Sequence, residues 1–89
     1  MSVMKQVKLF HFEACPYCRE TMRWLDEVKR EHPELAAVPV EKVDERLEPS
    51  KIKGYDYWYV PTFFVDGKKA HEGVCSREIV ERVLRSALE

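Results

Sequence analysis

Residues 12–19 read FEACPYCR, and the two cysteines of this stretch, Cys15 and Cys18, are separated by Pro16 and Tyr17. An apolar run precedes the stretch and a segment with helical periodicity follows it, so the cysteines stand where a strand gives way to a helix. Pro16 fits this position, because a proline in the first turn of a helix removes no helical hydrogen bond. The stretch therefore predicts two thiols at the N-terminus of a helix.

The flanking segments predict a β-α-β unit. Residues 3–12 (VMKQVKLFHF) alternate imperfectly between two apolar faces, which is typical of a strand that is covered on both sides. Residues 16–31 show the periodicity of an amphipathic helix, which His32 and Pro33 are expected to end. Residues 36–43 (AAVPVEKV) predict a second strand, parallel to the first because a helix connects them.

The second half of the chain predicts a short helix followed by a β-hairpin. Asp44 is a candidate cap for a helix over residues 46–53. Residues 60–65 (VPTFFV) are rich in β-branched and aromatic side chains, as strands are. The pair at 66–67, Asp-Gly, predicts a tight turn into a return strand over residues 68–72.

A final helix is predicted after Ser76, which is a good capping residue. Its apolar stripe consists of Ile79, Val80, Val83, Leu84, Ala87 and Leu88. The predicted order is β-α-β-α-β-β-α, an α/β fold with a four-stranded mixed sheet flanked by three helices. We expect residues 1–89 to form a single domain, because a chain of this length has too little volume for two cores.

The composition argues against proteins that bind nucleic acid or membranes. Lys and Arg number 15 against 16 Asp and Glu, and this balance gives no electrostatic basis for binding nucleic acid or a membrane surface. No apolar run approaches the roughly 20 residues that span a bilayer, and the first ten residues lack the features of a signal peptide. We therefore expect a cytoplasmic protein, and we expect it to be a monomer. Structural disulfides are rare in the cytoplasm, so a CxxC pair there indicates redox chemistry.

Two thiols at a helix start are chemically unequal. We expect Cys15 to face solvent and to be the nucleophile, its thiolate favoured by unpaired backbone N–H groups, the helix dipole and Arg19. Cys18 is expected to turn toward the helix. Cys15 would then attack a substrate disulfide, and Cys18 would attack Cys15 to release the mixed disulfide.

The arrangement of these residues resembles the thioredoxin superfamily. CPYC follows a first strand, a Val60-Pro61-Thr62 element opens a later strand, and CPYC itself is the tetrapeptide of dithiol glutaredoxins. The resemblance covers the whole chain and implies a cis peptide bond before Pro61, with the Val60 backbone pairing with an extended substrate. It implies an oxidoreductase that reduces protein disulfides or glutathione mixed disulfides, with no tightly bound cofactor and glutathione as co-substrate.

The resemblance also implies a substrate-binding region around the cysteines. Its candidate residues are Pro16, Tyr17, Tyr59, Val60, Pro61, Gly73, Cys75 and Ser76. Residues 55–59 include four aromatic side chains that either line a groove or cover the sheet, with Trp58 or Tyr59 expected to be exposed. Cys75 is either an auxiliary thiol open to glutathionylation or an ordinary semi-exposed cysteine, and we favour the second interpretation.

His11 and Glu13 precede the cysteine pair and raise a separate question. Either residue could move a proton for Cys18. A histidine in this setting is more often a hydrogen-bonded strand residue, which is the interpretation we favour from sequence.

Other features of the sequence leave alternatives open. Glutaredoxins usually place a lysine before the first cysteine to meet a carboxylate of glutathione, whereas residues 11–14 here are HFEA. Residues 51–69 are more similar to thioredoxin, although its CGPC motif and the buried aspartate of its first strand are absent. One alternative is thus a thioredoxin-type reductant recharged by a flavoprotein reductase. The non-enzymatic alternative is a module that uses the same helix start to bind a metal or an iron–sulfur cluster. A structural zinc site usually needs two cysteine pairs, whereas the chain offers only Cys75, His11, His32 and His71 beyond the first pair.

Overall fold

The computed structural model describes residues 4–89, which fold into a mixed sheet with α-helices packed against it. Its elements are β1 (Val7–His11), α1 (Pro16–Glu31), α2 (Pro33–Ala36), β2 (Val40–Asp44), a 3₁₀ turn (Pro49–Ile52), β3 (Thr62–Val65), β4 (Lys68–Glu72) and α3 (Arg77–Ser86). The strand order is β2-β1-β3-β4, with β1 parallel to β2 and antiparallel to β3. The predicted fold class is confirmed. The predicted start of the first strand at Val3 lies outside the described residues.

Strand β1 lies inside the sheet and is buried on both faces, as its apolar pattern predicts. Val7 and Leu9 are fully buried on the face covered by α1 and α3. Phe10 is fully buried on the opposite face, together with Val43 and Phe64. The main core on the helical side also contains Leu25, Val28, Leu35, Val38, Phe63, Val65, Val80, Val83, Leu84 and Ala87.

Helix α1 follows its predicted bounds, but the chain after it does not. The N–H of His32 donates to the carbonyl of Val28 at 3.0 Å and closes the last turn. Pro33 then opens α2, since a proline is well tolerated at the first helical position, and Leu35 of α2 is buried in the main core. Strand β2 consequently begins at Val40 and not at residue 36. No helix within residues 4–89 has both the length and the apolar character needed to cross a membrane.

The helix predicted over residues 46–53 is wrong. The Asp44 carboxylate accepts hydrogen bonds from the N–H groups of Arg46 at 2.9 Å and Leu47 at 3.2 Å, which makes a turn. Pro49 then disfavours helical backbone at Glu48, so only the 3₁₀ turn forms. This loop region and not an α-helix covers the second face of the sheet.

Part of the aromatic cluster takes the place of that helix. The ring centroids of Tyr55 and Tyr57 lie 4.9 Å and 5.1 Å from the Phe10 ring. The Tyr57 hydroxyl donates to the Glu45 carboxylate at 2.8 Å, which satisfies its polar end. These two tyrosines therefore cover the sheet. This is one of the two roles that the sequence allows for the aromatic cluster, the other being to line a groove.

The hairpin and the last helix agree with their sequence signals. Asp66 and Gly67 both have positive φ, 50° and 81°, as a two-residue hairpin turn of this kind requires. The Ser76 hydroxyl accepts from the N–H of Ile79 at 3.2 Å and caps α3. Strand β3 begins at Thr62, two residues later than predicted, because Pro61 has no N–H to donate to the sheet.

Truncation of a core side chain in α1 should lower the stability of the protein sharply. We expect Leu25→Ala to reduce the free energy of unfolding by about 2–5 kcal/mol, because Leu25 is 2% exposed and its removal leaves a cavity. The matched control is Leu47→Ala at a side chain that is 75% exposed, with an expected change of less than about 0.5 kcal/mol. Urea unfolding of both variants measures the difference. Equal losses would contradict the packing described for α1.

Candidate active site

The active-site candidates gather at one end of the sheet because of the strand register. His11, the last residue of β1, pairs with Asp44 of β2, and Phe10 pairs with Thr62 of β3. The loop from β1 to Cys15, the turn after β2 and the chain entering β3 from Pro61 therefore share one edge. Segments that are distant in sequence supply side chains to the same place.

Cys15 is the N-cap residue of α1, and its sulfur performs the capping. Its Sγ atom accepts a hydrogen bond from the backbone N–H of Cys18 at 3.2 Å. The expectation that Cys15 faces solvent is wrong, since the residue is only 5% exposed: the sulfur turns back over the first helical turn to reach this N–H. A thiolate here lies at the positive end of the helix dipole, which stabilises negative charge. Pro16 and Tyr17 follow in the first turn, both exposed.

Cys18 is 2% exposed and faces the interior, as predicted. Burial, together with the hydrogen bond to the Cys15 sulfur, raises the pKa of the Cys18 thiol to about 12. Cys15, Cys18 and Cys75 all carry free thiols, so the structure describes the dithiol form. The surroundings of the two thiols differ, because the Cys15 sulfur accepts a backbone N–H and Cys18 is held protonated. Their roles as nucleophile and resolving thiol stay predictions.

A cavity of roughly 380 Å³ lies beside Cys18. Its lining includes Cys18, Arg19 and Met22 of α1, together with His11, Asp44 and Leu47. Burial lowers the pKa of His11, and the neighbouring Asp44 carboxylate partly offsets this effect. Burial opposes ionisation of Asp44, but the N–H groups of Arg46 and Leu47 outweigh it, so the pKa of Asp44 is lowered. The cavity thus holds a neutral imidazole and a carboxylate near a protonated thiol.

Asp44 is a site residue that the sequence interpretation missed. From the sequence, Asp44 is only a candidate helix cap, because it precedes the segment that predicts a short helix. Asp44 is 9% exposed and lies opposite His11 in the parallel register of β1 and β2. The signal that could have revealed it is its position at the carboxyl end of the strand that neighbours β1.

The peptide bond between Val60 and Pro61 is cis, as the resemblance implied. The Pro61 carbonyl accepts from the N–H of Gly73 at 2.9 Å, which joins this loop to the end of β4. Gly73 has a φ of 91°, and a β-carbon added there would lie 3.9 Å from the β-carbon of Tyr59. The structure therefore brings Tyr59, Val60, Pro61 and Gly73 together. Their contact with substrate stays a prediction.

Several apolar side chains around this loop are open to solvent. Trp58 is 85% exposed and Tyr59 70% exposed, which confirms the expectation for this part of the aromatic cluster. Tyr17, between the cysteines, is 55% exposed, and Val74 after Gly73 is 66% exposed. We call these four residues, Tyr17, Trp58, Tyr59 and Val74, the apolar rim.

Glu72 holds part of the apolar rim in place, a role that no sequence pattern indicated. Its carboxylate accepts hydrogen bonds from Lys69 Nζ at 2.7 Å, from the backbone N–H of Trp58 and from that of Tyr59 at 2.9 Å. These donors, with Lys69 the strongest, lower the pKa of Glu72 to about 2. The contacts join residues far apart in sequence, so no local pattern could have predicted them.

Cys75 and Ser76 are less available than the sequence suggested. The interpretation of Cys75 as semi-exposed is wrong, since it is 7% exposed and belongs to the main core. Burial raises the pKa of the Cys75 thiol, which makes it a poor target for glutathionylation. The Ser76 hydroxyl is engaged in capping α3. Contact of either residue with substrate stays a prediction.

The metal-binding alternative depends on clustered ligands. Within residues 4–89, the structure places no group of three or more His, Cys, Asp or Glu side chains where they could hold a metal ion. His32 lies 3.5 Å from the Glu81 carboxylate on α3, and His71 Nε2 lies 2.7 Å from the Val74 carbonyl oxygen.

Removal of the Glu72 charge should destabilise the protein in a pH-dependent way. The folded-state pKa is depressed, so the stabilisation is present above the unfolded value of 4.5 and is lost as the pH falls toward about 2. We therefore expect Glu72→Gln to be less stable than wild type at pH 7, and the difference to shrink on acidification. Urea unfolding of both proteins across this range measures it. A difference that is independent of pH would contradict the hydrogen bonds assigned to the carboxylate.

Comparison with known proteins places this geometry in a family. Residues 5–85 match the family described as thioredoxin domain. The chain is 31% identical over 88 residues to a thioredoxin of Methanocaldococcus jannaschii, covering 99% of this chain and 100% of that protein. It is 28% identical over 83 residues to a probable thioredoxin of Methanothermobacter thermautotrophicus, covering 93% and 95%.

A solved structure shows the same relationship. Desulfothioredoxin from Desulfovibrio vulgaris Hildenborough, in its reduced form, superposes with a TM-score of 0.68 and 25% identity, covering 94% of this chain and 82% of that one. The chain therefore belongs to the thioredoxin family of thiol–disulfide oxidoreductases, and its Cys15–Cys18 spacing fits a CxxC motif.

Proposed function

We propose that this protein is a thioredoxin-type reductant of protein disulfides that a flavoprotein reductase recharges. Relatives matching almost the full length of the chain are named thioredoxin, which favours this alternative over the glutaredoxin-like interpretation of CPYC. The observation that carries the proposal is the exposed apolar rim at the edge of the sheet that carries the cysteine pair. Exposed aromatic and apolar side chains suit contact with an unfolded or extended segment of a protein.

The geometry of the Val60–Pro61 loop supports a peptide substrate. β3 pairs with its neighbours only from Thr62 onward, so the backbone of Val60 is not used by either adjacent strand. An extended segment can form main-chain hydrogen bonds with such a backbone while its side chains contact Tyr59 and Trp58. The hydrogen bonds from Trp58 and Tyr59 to Glu72 fix this loop before substrate arrives, which limits the entropy lost on binding.

The reaction follows from the unequal thiols. The Cys15 thiolate attacks one sulfur of the substrate disulfide, the substrate S–S bond breaks, and the other substrate sulfur leaves as a thiolate. Cys18 then loses its proton and attacks Cys15 Sγ, so the mixed disulfide breaks and the second substrate thiolate departs. The substrate gains two electrons, and the protein is left with a Cys15–Cys18 disulfide. The reductase returns two electrons to complete the cycle.

Glutathione is the second candidate donor, since CPYC is shared with dithiol glutaredoxins. Binding of glutathione depends on cations that meet its carboxylates. At residues 11–14, where glutaredoxins usually have a lysine, this chain has Glu13, and the nearby Arg19 donates its Nε–H to the Glu13 carbonyl at 3.2 Å. The acidic side chain at this position disfavours a bound carboxylate.

The choice between donors is testable with a coupled assay. With insulin as the disulfide substrate, we expect turnover with NADPH and the thioredoxin reductase of the same source to exceed that with glutathione and glutathione reductase by at least about tenfold in kcat/KM. NADPH consumption measures both, and Cys15→Ser gives the background in each arm. Faster turnover in the glutathione arm, especially on a glutathione mixed disulfide, would replace this proposal with the glutaredoxin-like one.

A further inference from the structure

Release of the mixed disulfide requires Cys18 to give up a proton, and the fold opposes this step. The thiol is buried and donates to the Cys15 sulfur, so at neutral pH only a very small fraction is ionised. Once Cys15 is bonded to substrate, a group other than Cys15 must accept the proton. None of the five residues of β1, VKLFH, carries a carboxylate for this purpose.

The ionisable side chains that line the cavity beside Cys18 are His11, Glu13, Arg19 and Asp44. Arg19 remains protonated and can accept no proton. Asp44 already accepts hydrogen bonds from the backbone N–H groups of Arg46 and Leu47, which weakens its carboxylate as a base. Glu13 is exposed on the loop before Cys15. His11 is half-buried, and it is the group best suited to accept a proton inside the cavity.

The neighbours of His11 set its protonation. From β2, Asp44 and Glu45 favour the imidazolium, and Lys42 disfavours it. Burial is the largest effect and keeps the pKa of His11 below 6.5, so the imidazole is neutral and able to accept a proton at pH 7. The Asp44 carboxylate, opposite His11 in the strand register, stabilises the imidazolium that forms.

We propose that His11, assisted by Asp44, is the general base that takes the proton of Cys18 during release of the mixed disulfide. This inference rests on the proposed dithiol reaction. The Cys18 S–H bond breaks and its proton passes to the imidazole, while the sulfur attacks Cys15 Sγ. The bond between Cys15 and the substrate sulfur breaks, and its electron pair leaves with the substrate thiolate. His11 and Cys18 line the same cavity, and its volume of roughly 380 Å³ has room for a water that could relay the proton.

The test separates the two attacks by stopped-flow absorbance. Reduced protein reacts with the aromatic disulfide dithiobis(nitrobenzoate): Cys15 releases one thionitrobenzoate, and attack by Cys18 on the resulting adduct releases a second. We expect His11→Ala to slow the second release by about 100-fold at pH 7 and to change the first by less than about twofold. Added imidazole should restore the second release. The matched control is His32→Ala at the other end of α1, in which both phases should equal those of wild type.

The pH dependence provides a readout that a purely structural role of His11 would not change. In wild type the second release should rise with pH and level off above the pKa of His11, whereas in His11→Ala it should keep rising toward the pKa of the thiol. Asp44→Asn retains an acceptor for the backbone N–H groups but removes the charge, so the wild-type inflection should move to lower pH.

Three outcomes would overturn the inference: an unchanged second release in His11→Ala, equal slowing of both releases, or no rescue by imidazole. The assay uses no reductase, so failure of the flavoprotein donor assay would leave this result standing. Absence of a second release in wild type would overturn the dithiol reaction and the inference together.

Discussion

The burial of β1 on both faces is the constraint on which the rest of the structure depends. Val7 and Leu9 fix the helices on one side, while Phe10 fixes the aromatic loop on the other. Because β1 is held in this way, its carboxyl end lies beside the carboxyl end of β2 and the start of β3, and the chain leaves the sheet there. The start of α1 is therefore placed next to the Val60–Pro61 loop by the packing of the core.

At that edge one hydrogen bond gives the two cysteines different properties. The first turn of any helix leaves backbone N–H groups without partners, and here the Cys15 sulfur satisfies that of Cys18. The same turn carries the Cys18 side chain into the interior, where burial holds its proton. In the proposed reaction, nucleophile and resolving thiol thus arise from one local arrangement. Release of the mixed disulfide then requires removal of the Cys18 proton, and we infer that His11 accepts it with the help of Asp44.

The sequence predicted what is encoded locally. The periodicity of α1, the Asp66-Gly67 turn and the capping of α3 by Ser76 are short-range signals, and the structure confirms each. The helix over residues 46–53 was wrong because the turn at Asp44 and the proline that follows compete with helical backbone. Burial of Cys15 and the contacts of Glu72 depend on side-chain direction and on pairing across the sheet, which no pattern along the chain records.

The central claim is that Cys15 attacks and Cys18 resolves, and trapping of the mixed disulfide tests it most directly. Reduced Cys18→Ser and Cys15→Ser proteins are each mixed with a disulfide-bonded peptide, and the products are mapped by mass spectrometry. The account predicts a stable adduct on Cys15 in Cys18→Ser and essentially none on Cys18 in Cys15→Ser. Adducts of similar yield in both variants, or loss of the first attack in both, would contradict the roles assigned to the two thiols.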